Sequence, residues 1–138
     1  MIYCDTSVIV AAIVLEPETA RIKAWLREQP PGSLAISDWV ETELASALSI
    51  KTREGQLSPE QRAAAGRAWR AMMASLFVTL PVNRAHFQQA ARLAASPQPP
   101  LRGGDSLHLA IAMETSAMAT LDRRLATACD CYAVGLAL

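Results

Sequence analysis

Residues 102–113 read RGGDSLHLAIAM. Two glycines precede Asp105, and six of the eight residues after it are apolar. This pattern predicts a buried helix with Asp105 at or just inside its start and the glycines freeing the backbone ahead of it. A carboxylate at the mouth of a buried helix is costly to desolvate unless a cation, a hydrogen-bond donor or the helix N-terminus meets it. The simplest partner is the helix itself, with Asp105 capping the first-turn N–H groups. The alternative is that other carboxylates arrive at the same place and share a cation.

The chain has 138 residues, 51% of them hydrophobic, enough for one domain (residues 1–138) with one core. Aromatics make up only 5%, which favours close-packed helices over a β-sandwich. Formal charge is zero, with 13 acidic and 13 basic residues, so the chain is not an overtly basic nucleic-acid binder. If four acids share one pocket, the remaining surface is net positive by four, and apart from Lys23 and Lys51 its cations are arginines. Arginine suits bidentate contacts to phosphate.

Cys4, Cys129 and Cys131 include no C-x-x-C pair, and His86 and His108 add no zinc spacing. Reduced thiols and a cytoplasmic location are expected. Residues 6–15, TSVIVAAIVL, resemble a signal-peptide core, but no positive region precedes them and they are too few to cross a bilayer. The expectation is a soluble, unprocessed chain with no membrane association.

Outward from the opening stretch, other carboxylates occupy related places. Ile2, Tyr3 and Cys4 read as a buried strand ending at Asp5, with Thr6 or Ser7 opening a helix. Pro17 is expected to start a second helix that Pro30, Pro31 and Gly32 stop. Leu34 to Ile36 read as a strand, and Asp38 with Glu41 has the form of a capping box on the next helix. In that helix Val40, Leu44, Ala47 and Leu48 form an apolar stripe, and Glu43 falls inside it, between Ala47 and Ile50. No Lys or Arg lies three or four residues away to neutralise it.

Ser58, Pro59 and Gln61 predict a capped long helix with Trp69, Met72, Met73 and Leu76 on one side, making a helical hairpin with its predecessor. Those apolar residues read mainly as core, and Arg62, Arg67 and Arg70 as a solvated face. Phe77 to Leu80 read as a third strand, followed by a helix from about Asn83 to Ala95 and a proline-rich connector. Ala117 to Thr120 read as a fourth strand, then Asp122, a short helix, and a last strand near Tyr132 to Val134. Alternating strands and helices imply a parallel sheet covered on both faces. Strand ends of one sense share an edge, so Asp5, Glu43, Asp105 and Asp122 can converge there. Clustered carboxylates repel one another, and Mg²⁺ or Mn²⁺ suits an all-oxygen site.

The segments MIYCDTSVIVAA (1–12), ETELASAL (41–48), RGGDSLHLA (102–110) and ATLDRRLA (119–126) resemble the four motifs of PIN-domain ribonucleases, in particular VapC-type toxins of bacterial toxin–antitoxin pairs. The resemblance implies a three-layer α/β/α fold with a central parallel sheet of four to five short strands and a protruding helical hairpin. It implies a Mg²⁺- or Mn²⁺-dependent endoribonuclease that hydrolyses RNA phosphodiester bonds and inhibits translation. A small antitoxin partner and a homodimer come with the same likeness. Asp5, Glu43, Asp105 and Asp122 match the family's acidic metal-binding and catalytic positions, with Thr6 and Thr120 as supporting hydroxyls. Cys4 stands where an aliphatic residue is more usual. Arg102, Arg123 and Arg124, with nearby helix N-termini, are candidates for phosphate contacts.

Other classes fit less well. His108 reads as a hydrogen-bonded packing residue, and nothing in the spacing joins it to His86 for metal-free cleavage. A phosphoacceptor receiver domain needs adjacent acids after its first strand and a late lysine; here Thr6 follows Asp5 and no lysine follows Lys51. An aspartyl-nucleophile phosphatase needs a second Asp where Ser7 stands. The remaining alternative is a non-catalytic interaction domain of PIN-like fold whose acids only cap helices.

Overall fold

The computed structural model describes residues 1–138. Four strands, β1 (Ile2–Cys4), β2 (Leu34–Ser37), β3 (Phe77–Leu80) and β4 (Ala117–Ala119), form one all-parallel sheet in the order β3-β2-β1-β4. Parallel neighbours require crossovers, and the helices supply them. These are α1 (Thr6–Ile13), α2 (Thr19–Glu28), α3 (Asp38–Arg53), α4 (Pro59–Leu76), α5 (Arg84–Ala95), α6 (Gly103–Ala112) and α7 (Arg123–Cys131). The result is a PIN-like α/β/α arrangement. No helix is long and apolar enough to cross a membrane.

The central strands and α6 are the driest parts. Tyr3, Cys4, Ile36, Leu109, Met118 and Ala119 are all fully buried within one core. Burial on both faces explains why these strands read as unbroken apolar runs rather than alternating ones. Register then positions the site. Cys4 pairs with Ala119, so the chain leaves both strands in step and delivers Asp5 and Thr120 to the same sheet edge.

The capping box at Ser58 and Gln61 forms as the sequence predicts. The hairpin helix α4 is largely exposed, with Ala65 its one fully buried residue. Trp69, Met72 and Met73 lie partly buried against the core. Arg62, Arg67 and Arg70 are exposed and line a groove with Thr52.

Four local expectations change. The last strand does not form at Tyr132–Val134, because α7 runs on to Cys131 and the chain turns out of it through Ala133 at φ 56°. Sheet contact comes later, as one parallel bridge between Met118 and Leu136. The Asp38–Glu41 capping box is absent: Ser37 is the N-cap of α3 without a side-chain cap, its hydroxyl bonding Tyr3 Oη instead. The second helix starts at Thr19 rather than Pro17, because Thr19 Oγ1 bonds the Val14 carbonyl and shapes the turn before it. Finally, Gly103 and Gly104 do not form a turn but are the first residues of α6, neither with positive φ.

Candidate active site

Asp5 leaves β1 and becomes the N-cap of α1, its Oδ1 accepting from the Ser7 and Val8 N–H groups at 3.0 and 3.3 Å. Its Oδ2 accepts from Thr120 Oγ1 at 2.6 Å. The side chain is 3% exposed, and burial pushes its pKa above the ordinary value despite His108 and these donors. Thr120 Oγ1 also accepts from the Asp122 N–H at 3.0 Å. Asp122 caps α7, Oδ1 taking the Arg124 and Leu125 N–H groups, and no chain donor reaches its Oδ2. Capping and convergence are therefore not alternatives: one threonine hydroxyl ties two capping aspartates together.

Asp105 is not a cap. The helix begins two residues earlier, at Gly103, with Arg102 as an N-cap lacking a side-chain bond. Asp105 is half-buried in the first turn of α6, and its pKa is raised by burial and by the Asp122 charge, with Glu43 adding to it. The Arg102 backbone N–H and His108 pull the other way. A cleft of 570 Å³ is lined by Asp105 and Asp122 together with Arg102, Arg123, Arg124 and Leu121. The candidate arginines therefore border the same opening as two of the candidate acids.

Glu43 turns inward from α3, as its place in the apolar stripe predicts. Its Oε2 accepts from Thr6 Oγ1 at 2.7 Å and lies 2.6 Å from His108 Nε2. Burial opposes ionisation, but the His108 and Thr6 hydrogen bonds outweigh it and hold the pKa below the ordinary value. The carboxylate's other oxygen faces Gly104, where a Cβ would approach Oε1 to 2.6 Å. The glycine provides space rather than flexibility.

His108 packs and hydrogen-bonds as the sequence suggests, while His86 belongs elsewhere, taking the Asn83 N–H on Nδ1 and facing Glu114. Residues that the sequence reading passed over include Tyr3, Ser37 and Ser7. Ser7 Oγ accepts from the Leu121 N–H at 2.9 Å, a second tie between the β1 and β4 edges. A hydroxyl beside a strand-end aspartate was the available signal for Ser7. Tyr3 gave none, being an apolar-run residue whose partner lies on a distant helix.

The donor set is all carboxylate oxygen, as a hard divalent ion prefers. No three of the chain's His, Cys, Asp and Glu side chains lie close enough together to chelate an ion by themselves. Mg²⁺ is held in many sites by one or two carboxylates and several waters, so the acids present fit such an ion without forming a closed cage.

A family model described as PIN domain matches residues 2–130. The chain belongs to the PIN domain family. Among solved structures, this PIN domain is similar to VapC20 of Mycobacterium tuberculosis, described as a sarcin-ricin loop cleaving toxin. The identity is 17%, the TM-score 0.72, and the match covers 93% of this chain and 95% of that one. It is similar to FitAcB of Neisseria gonorrhoeae at 22% identity and TM-score 0.73, covering 99% and 96% of the two chains. A third likeness is to VapBC2 of Rickettsia felis, crystallised with a DNA fragment from its promoter, at 15% identity and TM-score 0.66, covering 99% and 97%. At these identities the likeness carries the PIN fold. No curated protein matches the chain.

Proposed function

We propose that this PIN domain is a divalent-metal-dependent endoribonuclease, the toxin of a toxin–antitoxin pair whose target is RNA needed for translation. The observation that carries the reading is the acid cleft bordered by arginines: Asp105 and Asp122 line an opening that Arg102, Arg123 and Arg124 share. Asp5 joins it through Thr120, and Glu43 lies against the same helix turn as Asp105.

Asp5, Glu43, Asp105 and Asp122 would hold Mg²⁺ or Mn²⁺, one or two of them directly and the others through bound water. When bound, such an ion polarises a phosphodiester oxygen and makes a water acidic enough to attack at neutral pH. The chain's own groups do the rest. Thr120 and the first turn of α1 orient Asp5, Thr6 orients Glu43, and Asp122 keeps an oxygen free of helix duty. The three arginines neutralise and position the polyanionic backbone as charged, bidentate donors.

An apolar groove of 380 Å³ between α1, α2 and α4, lined by Ile13, Leu26, Met72 and Leu76, suits the apolar face of an antitoxin helix. The VapBC and FitAcB likenesses support a small protein partner of that kind.

Incubating the purified protein with total RNA, with and without chelator and beside Asp5→Asn, tests the reading. Fragments are expected only for the wild type supplied with Mg²⁺ or Mn²⁺. Cleavage that survives both chelation and the substitution would remove the acids from the chemistry.

A further inference from the structure

One buried imidazole joins five elements. His108, on α6 and 2% exposed, has both ring nitrogens engaged, with Nδ1 2.8 Å from Tyr3 Oη and Nε2 2.6 Å from Glu43 Oε2. Tyr3 Oη lies 2.7 Å from Ser37 Oγ, and Thr6 Oγ1 donates to the same Glu43 oxygen at 2.7 Å. A carboxylate oxygen only accepts, so Nε2 carries a hydrogen directed at Glu43. Nδ1 shares a hydrogen with the Tyr3 hydroxyl, which in turn shares one with Ser37. This chain of bonds, from β2 through β1 and α6 to α3, fixes the plane of the ring and keeps a hydrogen on Nε2.

The two oxygens of Glu43 are thereby made different. Oε2 is occupied by two donors, from Thr6 and His108. No donor reaches Oε1 in hydrogen-bond geometry, the nearby Trp39 indole N–H included, and Oε1 lies over Gly104 at the helix turn carrying Asp105. A carboxylate held by one oxygen and open at the other is oriented for a ligand on the open side. Second-sphere groups that hold ligands in this way commonly change metal affinity by about 10–100-fold when removed.

We propose that His108, locked by Tyr3, is a positioning residue that clamps Glu43 Oε2 so that Oε1 alone is presented to a divalent cation. The inference rests on the metal-dependent reading above but concerns a residue outside the four acids. It separates His108 from an ordinary buried histidine, whose loss would lower stability without changing ion affinity.

Calorimetric titration of the metal-free protein with Mn²⁺ tests it, with folding checked by circular dichroism. His108→Leu is expected to weaken Mn²⁺ binding about 10–100-fold. His108→Gln, which keeps an amide N–H toward Glu43, is expected to restore most of the affinity, and Tyr3→Phe to lose part of it. Nitrogen NMR of the metal-free wild type is expected to show a hydrogen on Nε2 of His108. Folded His108→Leu with wild-type affinity overturns the inference, as does an Nε2 that carries no hydrogen. If His108→Leu fails to fold, Tyr3→Phe decides: weakened binding supports the clamp and unchanged binding removes it. Wild type that binds no Mn²⁺ overturns the metal-dependent reading and this inference with it. Wild type that binds, with Glu43→Gln weakened and the His108 and Tyr3 variants unchanged, overturns the clamp alone.

Discussion

Gly104 and Glu43 occupy complementary space: a Cβ on residue 104 would lie 2.6 Å from Glu43 Oε1. Such a contact is ordinarily cheap when the atom ends a flexible side chain. Here Oε2 is held by Thr6 and His108, so the carboxylate cannot swing aside without giving up both bonds. Gly104→Ala is therefore expected to lower Mn²⁺ affinity and RNA cleavage at least about tenfold. Gly103 has nothing within 4 Å of its missing Cβ. Gly103→Ala should be neutral or stabilise α6 by up to about 1 kcal/mol. Thermal melts and Mn²⁺ titrations of the pair check this, and equal behaviour of the two variants would contradict it.

The same glycine pair shows where sequence reading stops. Spacing and caps are local, so β1, the Ser58–Gln61 capping box and the inward turn of Glu43 were readable. The meeting of Asp5 and Asp122 at one sheet edge is readable too, because parallel strand ends share an edge and each of these acids follows a strand. What a glycine makes room for is set by a residue on another helix, whereas the local pattern of Gly103 and Gly104 indicates only a freed backbone. The Tyr3–His108 bond spans 105 positions, and nothing in an apolar IYC run marks its tyrosine as a hydrogen-bonding residue. At the C-terminus, Tyr132–Val134 has strand-like composition, but the left-handed Ala133 that ends α7 prevents a strand from forming there.

The charge of Asp105 is poorly compensated by the chain. Burial and the neighbouring Asp122 charge raise its pKa, the Arg102 N–H and His108 oppose them, and Glu43 adds the smallest share to the rise. Asp105→Asn removes that charge while keeping an acceptor for the N–H. The metal-free variant is expected to melt above wild type by up to about 3–5 °C, the shift that about 1 kcal/mol produces in a domain of this size, while losing Mn²⁺ binding and cleavage. Stability gained as function is lost is the signature of a site built for an ion. A variant less stable than wild type would mean that the carboxylate is structural.

The pH dependence follows from the same groups. Asp5 and Asp105 hold protons more tightly in the folded chain than at the ordinary value of 3.8. Their contribution to stability is complete below that value and is lost as pH rises through the higher folded values. Glu43 has the opposite sign: its pKa is lowered, so its contribution is present above 4.5 and is lost only as pH falls through the folded value. The metal-free protein should therefore gain stability from these aspartates on mild acidification, until Glu43 begins to take a proton. Mn²⁺ competes with protons for these oxygens, so its increment in Tm should shrink between about pH 7.5 and about pH 5. Differential scanning at several pH values reads both slopes, and Asp105→Asn should flatten the metal-free one.

Thr120 is the joint between the two strand-end aspartates, donating to Asp5 Oδ2 at 2.6 Å and accepting the Asp122 N–H at 3.0 Å. Valine has nearly the same shape but can do neither. Thr120→Val leaves a buried carboxylate one donor short and a backbone N–H unpaired, a combination expected to cost about 1–3 kcal/mol. The loss should appear in both stability and chemistry, because the hydroxyl orients the acid that would hold the ion and the turn that presents Asp122. Serine retains the hydroxyl and gives up only a methyl group, so Thr120→Ser should keep most of the cleavage rate. Urea unfolding gives the stability cost, and RNA cleavage at saturating Mn²⁺ gives the rate. If valine and serine lower the rate alike, the methyl packing matters and the shared hydroxyl does not.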